Sequence, residues 1–266
     1  MPCRQGSRID QSTTLPRTGG GRCRRPHHGP VHARQCAVAQ FAAPADQRPV
    51  HARRRIGRTE AKRRGAVDPP RPGSARRLDP TRTILGDDQE RWLLANLSGR
   101  TARWNALAQQ VFFSQRDFTA GPEDRFSDDA WDNYKPERDA LRDHITQVGT
   151  SNPVVLTGDV HAAYVCDVKA DFDDPTSLTV ATELVGTSIT TGRDGVDQNP
   201  GDAIQFAENP HIKFINRKRG YIRNVITPST WTADYRVVEF VTTPGAPVTT
   251  RTSFVIEDGQ PEAVPA

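Results

Sequence analysis

The chain has 266 residues, with 36 Lys and Arg against 32 Asp and Glu and a formal net charge of +4, length enough for one large domain or two small ones. That charge is unevenly spread: Met1 to Pro80 holds 17 Arg and one Lys against five acidic residues, about +13, and the remainder carries about −9. Whole-chain basicity therefore argues for no specific nucleic-acid partner, and the lack of any apolar run of about 20 residues excludes a spanning helix.

The first 80 residues contain ten of the 21 prolines and a single aromatic residue, Phe41. Ala and scattered Val follow neither the strand period nor the helix period. Such a segment is not expected to bury enough apolar area to offset the entropy of ordering it. It reads as a basic disordered arm, or as coding sequence translated in a wrong frame or from a wrong start. Arg24-Arg25 is followed by Pro26-His27-His28-Gly29 and by no apolar region, so no export signal is read. Cys3, Cys23 and Cys36 lie here without a C-x-x-C, at spacings too irregular for a zinc site. Cys166 sits in an apolar run and reads as a small buried residue.

Order is expected from about Leu85. "LGDDQERWLLANLSG" predicts a helix with Asp87 as its cap, Glu90 completing a capping box and Gly99 ending it. "WNALAQQVFF", Trp104 to Phe113, suits a buried strand, and a polar loop follows. "SDDAWDNYKPERDALRDHITQ" predicts a helical segment interrupted at Lys135-Pro136, with Pro136 starting the second part. After Asn152-Pro153 the apolar run from Val154 to Thr157 enters the core as a strand. "AAYVCDVKA", "LTVATELVG", "YIRNVITPS", "DYRVVEFVTT" and "RTSFVIEDG" predict further strands. Helices mix with strands early and strands dominate late, which predicts an α/β domain with a largely antiparallel second half.

The strand at Val154–Thr157 breaks into Gly158-Asp159-Val160-His161. Ligands collect beyond the carboxyl ends of strands in open α/β sheets, and a carboxylate with an imidazole suits a hard or borderline cation. On spacing alone, a turn aspartate beside a packed histidine is the simpler reading. Gly186-Thr187-Ser188-Ile189 lacks the second glycine of a nucleophile elbow, so serine hydrolysis is not supported. His144 and His211 carry no motif and read as structural, "ADFDDP" reads as an Asp-rich turn, and Arg219, before a strand, reads as a solvated charge.

The stretch "NPVVLTGDVHAAYVCDVKADFDDPTSLTVATELVGTSITTGRDG" resembles the PhoD-like alkaline phosphatases of the calcineurin-like metallophosphoesterase superfamily. So do "ILGDDQERWL", "WNALAQQV", "WDNYKPER" and "RGYIRNVITPSTWTADYRVVE", in family order across Thr81 to Glu239. The resemblance implies a four-layer α/β/β/α sandwich, here partial, with residues 81–266 forming the C-terminal part of the domain. It implies a hydrolase that cleaves phosphomonoesters and phosphodiesters outside the cytoplasm, with iron and calcium ions. It places Asp159 and His161 among the metal ligands, and Trp131, Asn133 and Tyr134 near the pocket where a phosphate ester would bind. The family's earlier ligands have no counterpart in Met1 to Pro80, so the chain is expected to be a fragment with an incomplete metal site, its activity doubtful.

Overall fold

A computed structural model describes residues 76–98 and 102–266, together with the strand backbone at Ala37–Gln40. The expectation for the rest of Met1 to Pro80 lies outside the described residues. The contiguous described stretch begins at Arg76, and the strand β1, Ala37–Gln40, lies in the segment where the period analysis predicted none.

Next in the chain are helix α1, Asp87–Leu97, and strand β2, Asn105–Ala108. A 3-10 turn over Trp131–Tyr134 leads into helix α2, Lys135–Val148, with Pro136 in its first turn, where no amide donor is needed. Then come β3, Pro153–Thr157; β4, Ala163–Lys169; and β5, Thr179–Val185. Helix α3, Pro200–Glu208, and β6, Ile212–Asn216, precede a meander of β7, Arg219–Ile226; β8, Thr230–Val238; β9, Val248–Glu257; and β10, Ala263–Pro265.

Among the described residues these strands make two sheets. The first has the order β1-β2-β3-β5-β4-β6 and the second β10-β9-β8-β7. β1, β2, β3 and β5 run parallel, whereas β4 is antiparallel to both neighbours. Side chains alternate across the first sheet, as the strand period requires. Leu107 and Val155 pack under α1 and α2 with Leu93, Leu141 and Ile145, while Ala106 and Val154 face the second sheet with Trp231, Tyr235 and Phe254. Tyr164 and Cys166 pack with Ile215 and Phe206 of α3 on the helical face. Burying each large apolar side chain in these layers contributes about 1.5–3 kcal/mol. Among the described residues the result is a mixed α/β arrangement of two sheets that fills three layers of the expected sandwich. The fourth layer would cover the outer face of the second sheet, where Tyr221, Val225 and Val248 are exposed.

Three local expectations change. Gly86, at φ 75°, takes the cap position of α1, and Asp87 is the first helical residue. That backbone conformation suits glycine. Glu137 of α2 accepts the Ile84 and Leu85 amides at 2.6 and 3.2 Å, and so fixes the approach to α1 from a distance. The strand expected through Phe113 stops at Ala108, and from Phe113 on side chains hold several backbone amides. Glu183 accepts those of Phe113 and Ser114, Asp132 that of Arg116, and Asn209 that of Asp117. The third change is α3, which had a legible signal in Asn199-Pro200-Gly201-Asp202. Asp202 accepts the Asn199 amide at 2.7 Å, and proline occupies the first turn.

Candidate functional site

β3 is buried between β2 and β5 and ends at Thr157. At its carboxyl end the Gly158 amide donates to the Gln110 carbonyl at 3.3 Å, and the Thr157 carbonyl accepts from the Gly186 amide at 2.9 Å. The chain then turns through two left-handed residues, Asp159 at φ 69° and His161 at φ 56°. The Val160 amide donates back to the Gly158 carbonyl at 2.8 Å. Val160 packs inward against the cluster that holds Ala162 and Tyr164, while Asp159 and His161 on either side of it are exposed. A carboxylate and an imidazole thus stand in solvent on one short turn at the end of a sandwiched strand.

Arg219 supports this turn from β7. Its Nη1 donates to the His161 carbonyl at 2.9 Å and to Ser188 Oγ at 2.6 Å. At 5% exposure it is buried, contrary to the solvated charge read from its place before a strand. The side chain folds back under the loop that follows β5 instead of leaving the sheet edge. Burial, with Arg217 nearby, draws its pKa below the ordinary arginine value. A cavity of about 430 Å³, lined by Ile189, Gly220, Tyr221, Arg236, Phe240 and Val248 among others, opens beside this loop.

Glu183 of β5 lies beneath the end of β3, with no exposed surface. Its carboxylate accepts Thr157 Oγ1 at 2.6 Å and the Phe113 and Ser114 amides at 2.8 Å each. Burial pushes its pKa up, and those three hydrogen bonds pull the other way. Gln109 Nε2 donates to Thr157 Oγ1 at 2.5 Å, and Trp131 Nε1 donates to Gln109 Oε1 at 3.0 Å. Trp131 is therefore tied through Gln109 to the residue just before Gly158. Asn133 and Tyr134 are held elsewhere: Arg82 Nη1 donates to the Asn133 carbonyl at 2.7 Å, and its guanidinium lies 4.3 Å from the Tyr134 ring centroid. The structure brings Trp131 into the network under the turn and leaves Asn133 and Tyr134 bound to Arg82.

Sequence reasoning missed Glu183, Thr157, Gln109 and Arg219 as supports. A charged residue inside an apolar β-strand pattern was the available signal for Glu183, because a carboxylate is buried only when hydrogen bonds receive it. Among the described residues no group of three or more His, Cys, Asp or Glu side chains could hold a metal ion. The donor chemistry of Asp159 and His161 fits part of a cation's shell, and the described residues do not complete that shell.

The family model described as PhoD-like phosphatase matches residues 46–235, starting ahead of Thr81, where the sequence resemblance was read. Alkaline phosphatase D of Bacillus subtilis (strain 168) is 45% identical over 190 residues, covering 71% of this chain and 33% of that protein. A solved structure described as "Structure of PhoD" superposes with a TM-score of 0.71 at 43% identity, covering 74% of this chain and 38% of that one. The chain thus spans about a third of the length of the curated relative it matches. With a family match running over most of its length and a shared fold at this identity, the chain belongs to the PhoD-like phosphatase family.

Proposed function

We propose that the chain serves the metal-dependent hydrolysis of phosphoric esters, with Asp159 and His161 as two of the metal ligands. The observation that carries this reading is the exposed turn past β3, where both side chains stand in solvent in a chain of this family. Iron and calcium are the ions the resemblance proposes. When bound, such ions lower the pKa of a water and neutralise charge on a phosphoryl group.

The chain's own residues perform the positioning. The left-handed backbone at Asp159 and His161 turns the chain away from the strand and keeps both side chains in solvent while Val160 anchors in the core. Arg219 fixes the His161 carbonyl, and Glu183 with Thr157 fixes the strand end. A structural ion needs about four to eight donors. The two donors found among the described residues would hold a cation weakly, which favours low activity. The resemblance also supports action outside the cytoplasm, which fractionation of a producing cell would check.

The test is hydrolysis of p-nitrophenyl phosphate and bis-p-nitrophenyl phosphate after loading with iron and calcium. Weak turnover, lost in Asp159→Ala and in His161→Ala, is expected. Turnover that survives both substitutions would remove the turn from the site.

A further inference from the structure

We infer that Arg219 is the positioning residue that holds the Asp159–His161 turn in its left-handed form. As a role in the proposed reaction, this rests on the metal-ligand reading of that turn. Two non-glycine residues with positive φ within three positions form an uncommon backbone, which persists only where surrounding structure holds it. Gln110 holds the entry of the turn through the Gly158 amide, and Val160 bonds within it. The exit is held from the second sheet, where one guanidinium nitrogen of Arg219 bonds both the His161 carbonyl and Ser188 Oγ. A charged donor buried against a carbonyl makes a stronger bond than a neutral one.

The loop after β5 is shaped around this side chain. Gly192 and Gly195 have φ of 88° and 73°. A Cβ at Gly195 would stand 2.9 Å from Arg219 Nη2 and 2.1 Å from the Arg217 carbonyl oxygen. The loop therefore closes on the guanidinium only with glycine at that position. The Gly220 amide donates to the Ser188 carbonyl at 3.2 Å, so the strand that carries Arg219 is itself fastened to the loop. Asp194 accepts the Val241 and Thr242 amides at 2.8 and 2.9 Å, which fixes the same loop to the β8–β9 connection. Among the described residues buried Arg219 Nε finds no hydrogen-bond partner, and Nη1 is the atom that bonds the turn.

The experiment uses the full chain as Arg219→Met, which keeps the aliphatic stem and removes the donors, and as Arg219→Lys. Hydrogen exchange read by mass spectrometry should rise at least tenfold in peptides covering 158–163 of the Met variant, with β8 and β9 unchanged. The Lys variant should lie between, since its shorter side chain keeps a charged donor but does not carry it as far as Nη1. Manganese ion is the metal probe, read as paramagnetic broadening of the His161 ring signals. Its midpoint concentration should rise about tenfold in the Met variant and less in the Lys variant. Unchanged exchange at 158–163, or an equal rise in every strand, would overturn the assignment. If the Met variant does not fold, the Lys variant decides by the same two criteria. If the unaltered chain shows no broadening at His161, the metal-ligand reading fails, and the exchange result still decides whether Arg219 holds the turn.

Discussion

Burying an imidazole changes when it can take a proton. His211 is 6% exposed, its Nε2 donates to the Gln115 carbonyl at 2.7 Å, and the Phe172 ring lies edge-on to it. Burial is the largest cause of a pKa lowered from 6.5 to about 4. The unfolded chain therefore binds this proton first as pH falls, so the stability present above pH 6.5 is lost progressively toward pH 4. The full loss from this one site is roughly 3 kcal/mol. Urea midpoints measured from pH 7 to pH 4 should show it, and His211→Gln, which can still donate to Gln115, should flatten the curve by about that amount. An unchanged slope would show that other groups set the acid sensitivity. The structural role of His211 was legible because it carried no motif. What it touches was not, because Gln115 and Phe172 come from separate loops.

The junction between the 3-10 turn and α2 depends on a buried ion pair. Arg138 Nη1 meets Asp132 Oδ1 at 2.6 Å, and both side chains are essentially inaccessible. Asp132 Oδ2 accepts the Arg116 amide at 3.1 Å, and the Asp132 carbonyl accepts from Arg77 Nε at 2.9 Å. Burial raises the Asp132 pKa, with Arg138 opposing that shift most strongly. Removing one partner of such a pair leaves an uncompensated charge and costs about 3–5 kcal/mol, whereas replacing both with apolar groups is often nearly neutral. Arg138→Met alone should lower the urea-derived stability by that amount, and Asp132→Leu with Arg138→Met should recover most of it. Equal losses in the single and double variants would show that the pair does not act as a unit. The sequence displayed the helical break at Lys135-Pro136 because proline chemistry is local. It hid the reason the segment docks, because Arg77, Arg116 and Arg138 reach Asp132 from three stretches of chain. The cap of α1 was misread in the same way: Glu90 three residues after Asp87 fits a capping box, yet Glu137 supplies the acceptor from another helix.

Over the whole molecule, the strands of both sheets were mostly readable because β-branched runs between turns repeat the strand period. Their order in the sheets was not, because β4 lies between β5 and β6 through antiparallel pairing that no local pattern encodes. The turn that carries Asp159 and His161 followed from one break in an apolar run, and their proposed ligand role came from the family resemblance, whereas Glu183 and Arg219 became visible as supports of that turn only when distant strands were placed side by side. The two sheets also differ in how far along the chain each strand must reach for its neighbour. β7, β8, β9 and β10 pair with consecutive partners, so that sheet can assemble by closing short loops. β3 waits for β2 on one side and β5 on the other, which requires longer closures. The meander should therefore gain protection first during refolding, with β2 and β3 following. Pulse labelling with deuterium would read this sequence of events, and simultaneous protection of both sheets would contradict it. The turn with Asp159 and His161 is gripped from β7 at one end and from Gln110, just past β2, at the other. It would then be among the last parts to take shape, and a chain halted partway would carry a finished meander beside an unformed turn at the end of β3.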